Sequence, residues 1–191
     1  MKTAVTRLLG SLLVFSALTP SATPQKNGQP TMHDGKNGHG QTMTALADEV
    51  RHQLITLPYY GVFDWLEAQV LSDDSVILRG QVVVDSTKKD AEARVQKLEG
   101  VSRVVNQIEI LPAMPNDQQI RHAVYRAIFR FDGPLFQYAE RAVPPIHIIV
   151  SGGHVTLKGV VGSEMDKQLA FTAASGVPGV FDVKNELTIA A

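Results

Sequence analysis

The sequence predicts an α+β protein built from two tandem modules, each with the order α-β-β-α-β and each folding into a small mixed three-stranded sheet with two helices on one face. Three observations lead there. The segment Val76-Ile77-Leu78-Arg79-Gly80-Gln81-Val82 returns as Val155-Thr156-Leu157-Lys158-Gly159-Val160-Val161, at an offset of 79 residues. The same offset then pairs Lys88 with Lys167, Ala91 with Ala170, Gly100-Val101 with Gly179-Val180, Val104 with Val183, Asn106 with Asn185 and Ile110 with Ile189, without a gap. In both copies the apolar spacing switches from helical to alternating and back, in the same order.

Each element has its own signature. The first module, residues 44–112, opens with Leu46, Val50, Leu54 and Leu57 at three- to four-residue spacing, which makes one helix face, and Pro58 stops it. Leu66, Ala68 and Val70 then alternate with polar residues. Ser72-Asp73-Asp74 makes a turn, and Val76, Leu78, Gly80 and Val82 return as the second strand of a hairpin. A second helix is expected from Ser86-Thr87, where a hydroxyl can accept from the first free amides, with Ala91, Val95 and Leu98 on its buried face. Gly100 suits the left-handed position beyond its end. Val104, Asn106, Ile108 and Ile110 form the last strand, which should run parallel to its partner through a right-handed crossover.

The second module, residues 116–190, repeats the plan. Ile120, Val124 and Ile128 mark its first helix, and Ile146, Ile148 and Val150 lead into the turn Ser151-Gly152-Gly153-His154, whose glycines supply positive φ angles. Val155, Leu157 and Val161 return, Ser163 to Val177 form the second helix, Gly179 follows its end, and Val183, Asn185, Leu187 and Ile189 close the unit. Arg51-His52 matches Arg121-His122 at an offset of only 70, so this copy carries nine extra residues between its first helix and its hairpin. A unit of this size without disulfides sits near the lower limit for an independent core, so the two are expected to pack on each other or on a partner. The short proline-stiffened link Leu111-Pro112-Ala113-Met114-Pro115-Asn116 favours a set mutual geometry.

Residues 1–22 read as a secretory signal: Lys2 and Arg7 precede an apolar run from Leu8 to Leu18, too short to span a bilayer, and small and turn residues follow. Residues 23–43, rich in Gly, Pro, Asn, Gln and Thr, read as a flexible linker. His33 and His39 on that linker lack the rigid three or four ligands a metal site needs. No later segment is apolar for long enough to cross a membrane. Without Lys2 and Arg7 the net charge moves from −1 to −3, which is unfavourable for nucleic-acid binding. The chain has no cysteine, which removes disulfides, thiolate metal sites, a cysteine nucleophile and an acylated N-terminal cysteine anchor from consideration.

The Val-x-Leu-x-Gly strands (Val76, Leu78, Gly80; Val155, Leu157, Gly159) and the Gly-Val-x-x-Val-x-Asn ends (Gly100, Val101, Val104, Asn106; Gly179, Val180, Val183, Asn185) resemble the BON domain family, over both copies. The resemblance implies an exported, periplasmic double-BON protein of the bacterial envelope, linked to osmotic or envelope stress. It implies no enzymatic activity and no cofactor. It implies attachment to a phospholipid membrane surface or, alternatively, chaperone-like contact with envelope proteins.

Candidate functional residues follow from asymmetry between the copies. Tyr125, Phe129, Phe131, Phe136 and Tyr138 lie among Arg121, Arg126 and Arg130 in and after the first helix of the second module. Rings beside guanidinium groups suit a headgroup-level surface or a partner protein; the same residues also suit core or inter-module packing. The first module has Tyr59, Tyr60, Phe63 and Trp65 at the matching place, read either as an exposed patch or, preferably, as the plug that docks one module on the other. Gly80, Gly100, Gly159 and Gly179 are structural glycines. Arg51-His52 and Arg121-His122 read as a shared helix-surface pair. No nucleophile, base and carboxylate stand at a catalytic spacing, so no catalytic residue is assigned, and no metal ligands either.

Overall fold

A computed structural model describes residues 37–190, with side chains from residue 43. The signal segment and residues 23–36 of the linker lie outside the described residues. Helix α1 (Asn37–Ile55) is followed by the hairpin β1 (Trp65–Val70) and β2 (Ser75–Val82), helix α2 (Asp85–Val95) and strand β3 (Arg103–Ile110). The second module runs α3 (Pro115–Ile128), a single-turn α4 (Phe136–Ala139), β4 (Ile146–Ser151), β5 (His154–Val161), α5 (Glu164–Ser175) and β6 (Asp182–Ile189). The nine extra residues of the second copy are where α4 sits.

The chain forms two separate three-stranded sheets, ordered β1-β2-β3 and β4-β5-β6. In each, the hairpin is antiparallel and the last strand returns parallel to the middle one, Val76 opposite Val104 and Val155 opposite Val183. Each sheet has its own core. Val50, Leu54, Val76, Leu78, Ala91, Val95 and Ile108 close the first, and Val124, Ile128, Ile148, Val155, Leu157, Ala170, Ala174 and Leu187 the second. The helical stripes and the inward strand positions meet because both periodicities present one apolar face to the same layer.

Two local expectations differ from the structure. Residues 37–43, read as linker, belong to α1; once Val50 and Leu54 anchor that helix, extending it costs only propagation and not nucleation. Helix α2 has no hydroxyl cap at Ser86 or Thr87. It starts a residue earlier, with extended Val84 at the N-cap and an Asp85–Lys89 ion pair on its first turn. Thr87 points inward, and its buried hydroxyl has no hydrogen-bond partner among the described residues. In α5 the expected cap forms: Ser163 Oγ accepts from the Asp166 amide at 3.1 Å.

The glycine of each Val-x-Leu-x-Gly strand marks a point where the hairpin partner comes close. Gly80 (φ +127°) faces Trp65 and Gly159 (φ +121°) faces Pro145; a Cβ at either would stand 1.9 Å from the partner's carbonyl oxygen. Both the backbone conformation and the lack of space exclude a side chain. Gly100 and Gly179 also adopt positive φ, in the turns that lead from the second helix to the last strand.

Candidate functional site

The modules meet along a seam between the segment 57–67 and strand β4. That segment is held by Asp64, whose buried carboxylate accepts from the Gly61 amide at 3.0 Å and the Val83 amide at 2.7 Å. Burial pushes the Asp64 carboxyl upward, while those two amides pull it back. So fixed, the loop presents Val62 and Phe63 to the second core, against which both pack. The Phe63 ring stands edge-on to His122 at 5.4 Å and to Tyr125 at 6.2 Å. Tyr60 and Trp65 flank the His147 ring at 5.4 and 5.1 Å. Tyr59 stays outside the seam, 64% exposed.

Strand β4 is an edge strand, and an uncovered edge invites pairing with other chains. Here the Ile148 amide donates to the Val62 carbonyl at 2.8 Å. Five consecutive β4 residues, Ile146 to Val150, are buried, so its outward side is covered as well as its core side. His147 is only 5% exposed. Lys158 of β5 reaches Glu67 at 3.6 Å and lies over the Trp65 ring at 5.6 Å.

The aromatic and basic residues of the second module separate into two groups. Arg121 and Phe129, expected on a binding surface, are buried at 3% and 5% exposure and present nothing to a ligand outside. Arg121 donates to the Val150 carbonyl at 2.7 Å; burial pulls its pKa below the usual range against the opposing charges of Asp117 and Asp64. Phe129 is the C-cap of α3 (φ −100°, ψ 43°), so its backbone leaves the helical path. Its ring joins Tyr125 at 4.9 Å and the second core. Tyr138 is tied internally: its hydroxyl donates to Asp166 and accepts from the Gly162 amide, both at 2.8 Å. The other group faces out. Arg126 and Arg130 are exposed, and Phe131, at 85%, projects from the loop between α3 and α4 with Phe136 edge-on at 5.1 Å. Arg130 pairs with Asp132 at 3.1 Å.

Three structural devices carried little or no sequence signal. Asp117, almost fully buried, accepts from the Gly152 and Gly153 amides at 2.8 Å each and ties the start of α3 to the β4–β5 turn. Its counterpart in the first copy is Ala47, so duplication could not reveal it. Asn106 and Asn185, repeated at the same offset, were the findable ones: each bonds back to the second helix of its own module. His147 occupies an alternating strand position that reads as solvent-facing. Among the described residues, no three His, Asp or Glu side chains come together as metal ligands.

The model of the BON domain matches residues 44–112 and again residues 116–191. The chain belongs to the BON domain family. BON domains are envelope-associated and bind phospholipid, and the family is not catalytic. Among solved structures, the C-terminal domain of CdsD, the structural protein of the type III secretion system of Chlamydia trachomatis, is 11% identical at a TM-score of 0.31, covering 75% of this chain and 96% of its own. A second CdsD structure from the same organism is 12% identical at 0.29, covering 76% and 93%. Likenesses this slight bear on neither fold nor function. No curated protein sequence matches the chain. No helix among the described residues of the two BON modules is long and apolar enough to cross a membrane.

Proposed function

We propose that this chain is an exported, non-enzymatic envelope protein that attaches peripherally to phospholipid surfaces through its second BON module. The observation that carries the proposal is Phe131, an almost fully exposed phenyl ring on a loop tip. Phe136 supports it from the side, and Arg126 and Arg130 stand nearby. Inserting one phenyl group into the headgroup boundary contributes about 1.5–3 kcal/mol, and each unpaired basic group near an anionic surface about 1 kcal/mol. Arg130 is shared with Asp132, which reduces its part. The sum describes weak, reversible attachment, strengthened by anionic lipid and weakened by salt.

Co-sedimentation of the mature protein with vesicles containing anionic phospholipid tests this. The wild type should pellet at low ionic strength, and Phe131→Ser and Phe136→Ser should stay in the supernatant while keeping their fold. An unbound wild type, or variants that pellet as well as the wild type, would refute it. Should the protein instead suppress aggregation of an unfolding client without binding vesicles, the chaperone-like role takes its place.

A further inference from the structure

We propose that the seam between the two BON modules is an acid-sensitive lock, closed only while His147, seated between Tyr60 and Trp65, carries no charge.

The seam is slender. It consists of the Val62–Ile148 backbone bond, the Val62 and Phe63 insertion, the His147 ring stack and the Lys158–Glu67–Trp65 group. A small change in free energy therefore decides whether it stays shut. His147 is at its centre, nearly inaccessible to water, with Nδ1 3.2 Å from the Gly61 carbonyl oxygen. An imidazole is the side chain that gains a proton most readily under mild acid.

The charged and titratable groups around it come from every element packed there. The loop contributes Tyr60, whose hydroxyl ionisation is pushed upward by burial, and Asp64, whose carboxylate is engaged by two backbone amides. Strand β1 contributes Glu67, which accepts from the Trp65 indole and faces Lys158. Strand β5 contributes the Lys158 cation, and α3 contributes buried Arg121 and exposed His122. Of the two carboxylates, Asp64 is satisfied elsewhere and Glu67 is held by Trp65 and Lys158. A proton on His147 would thus place a third cation in a seam that already has two.

Burial lowers the pKa of docked His147, while the backbone carbonyls of Gly61 and Asp64 oppose the shift without cancelling it. Undocked, the same ring titrates at its ordinary value of about 6.5. Below that value the undocked state binds the proton first, so docking is fully favoured above about pH 6.5 and weakens as pH falls toward the lower docked value. The short link 111–116 keeps the modules tethered, so reclosing is intramolecular.

Hydrogen exchange and imidazole shifts, followed by NMR on the intact mature chain from about pH 7.5 to about pH 5, test the lock. Trp65 is the sole tryptophan, so its emission reports the same seam. After correction for intrinsic exchange, protection of the Ile148 amide should fall about tenfold for each unit by which docking lowers the His147 pKa. The central-strand Leu78 amide should stay protected and Trp65 emission should shift to the red. His147→Gln or His147→Phe should hold Ile148 protected at the acid end, whereas His122→Gln should behave as the wild type. Protonation of His147 without loss of Ile148 protection overturns the proposal. So does simultaneous loss at Leu78, which would mean global unfolding, or an acid transition that persists in both neutral variants or vanishes in His122→Gln.

Discussion

Asn185 of β6 is bound to Lys167 of α5: its side-chain amide donates to the Lys167 carbonyl at 2.9 Å, while its Oδ1 accepts from the Leu187 amide at 3.2 Å. Asn106 does the same in the first module, donating to the Lys88 carbonyl at 3.1 Å and accepting from the Ile108 amide at 3.1 Å. One asparagine thus satisfies a helix carbonyl and a strand amide together, which explains why this residue type ends the repeated motif.

Replacing Asn185 or Asn106 by Leu leaves a carbonyl and an amide without that partner. Each variant should lose about 1–3 kcal/mol in urea unfolding. Asp should not rescue either site, because its carboxylate cannot donate to the helix carbonyl.

Gly159→Ala and Gly80→Ala should be among the most damaging single-methyl additions in the chain. Each forces a Cβ to within 1.9 Å of a backbone oxygen at a positive φ. A loss above about 3 kcal/mol is expected, or failure to accumulate folded protein. Gly61→Ala is the control: no atom lies within 4 Å of its Cβ, and its melting temperature should stay close to wild type.

Asp117→Ala should cost at least about 2 kcal/mol, since it strips the Gly152 and Gly153 amides of their acceptor and removes a carboxylate that favours the buried Arg121 charge. The double variant Asp117→Ala with Arg121→Met should be more stable than the sum of the single losses. Chemical denaturation of the four-member cycle gives the coupling.

Phe129 and Phe131 are two residues apart and should respond oppositely. Phe129→Ser opens the second core and should cost about 3–5 kcal/mol. Phe131→Ser should leave the melting temperature unchanged and reduce vesicle binding.

The contrast between those two phenylalanines shows where sequence reasoning runs out. Periodicity described the helices and hairpins well, because a residue's face follows from its position while the backbone stays regular. Phe129 sits where α3 has just ended, so the helical phase no longer applies and the chain turns its ring inward. Arg121 is still helical, but the Val150 carbonyl lies within reach of its long side chain, and a charged residue read as exposed becomes buried. His147 stands on a strand whose alternation is intact; it is buried because another module covers that side.

The sequence by itself determined the duplicated α-β-β-α-β plan, the turns and the family, since all of these depend on local spacing and on comparing one copy with the other. Tertiary structure alone decided which aromatic and charged side chains face solvent. That outcome depends on Val62, Phe63 and Trp65 meeting β4 across some eighty residues of chain. Contacts between modules leave no periodic trace, because each side of the seam is a single loop or strand edge with no repeat to betray it.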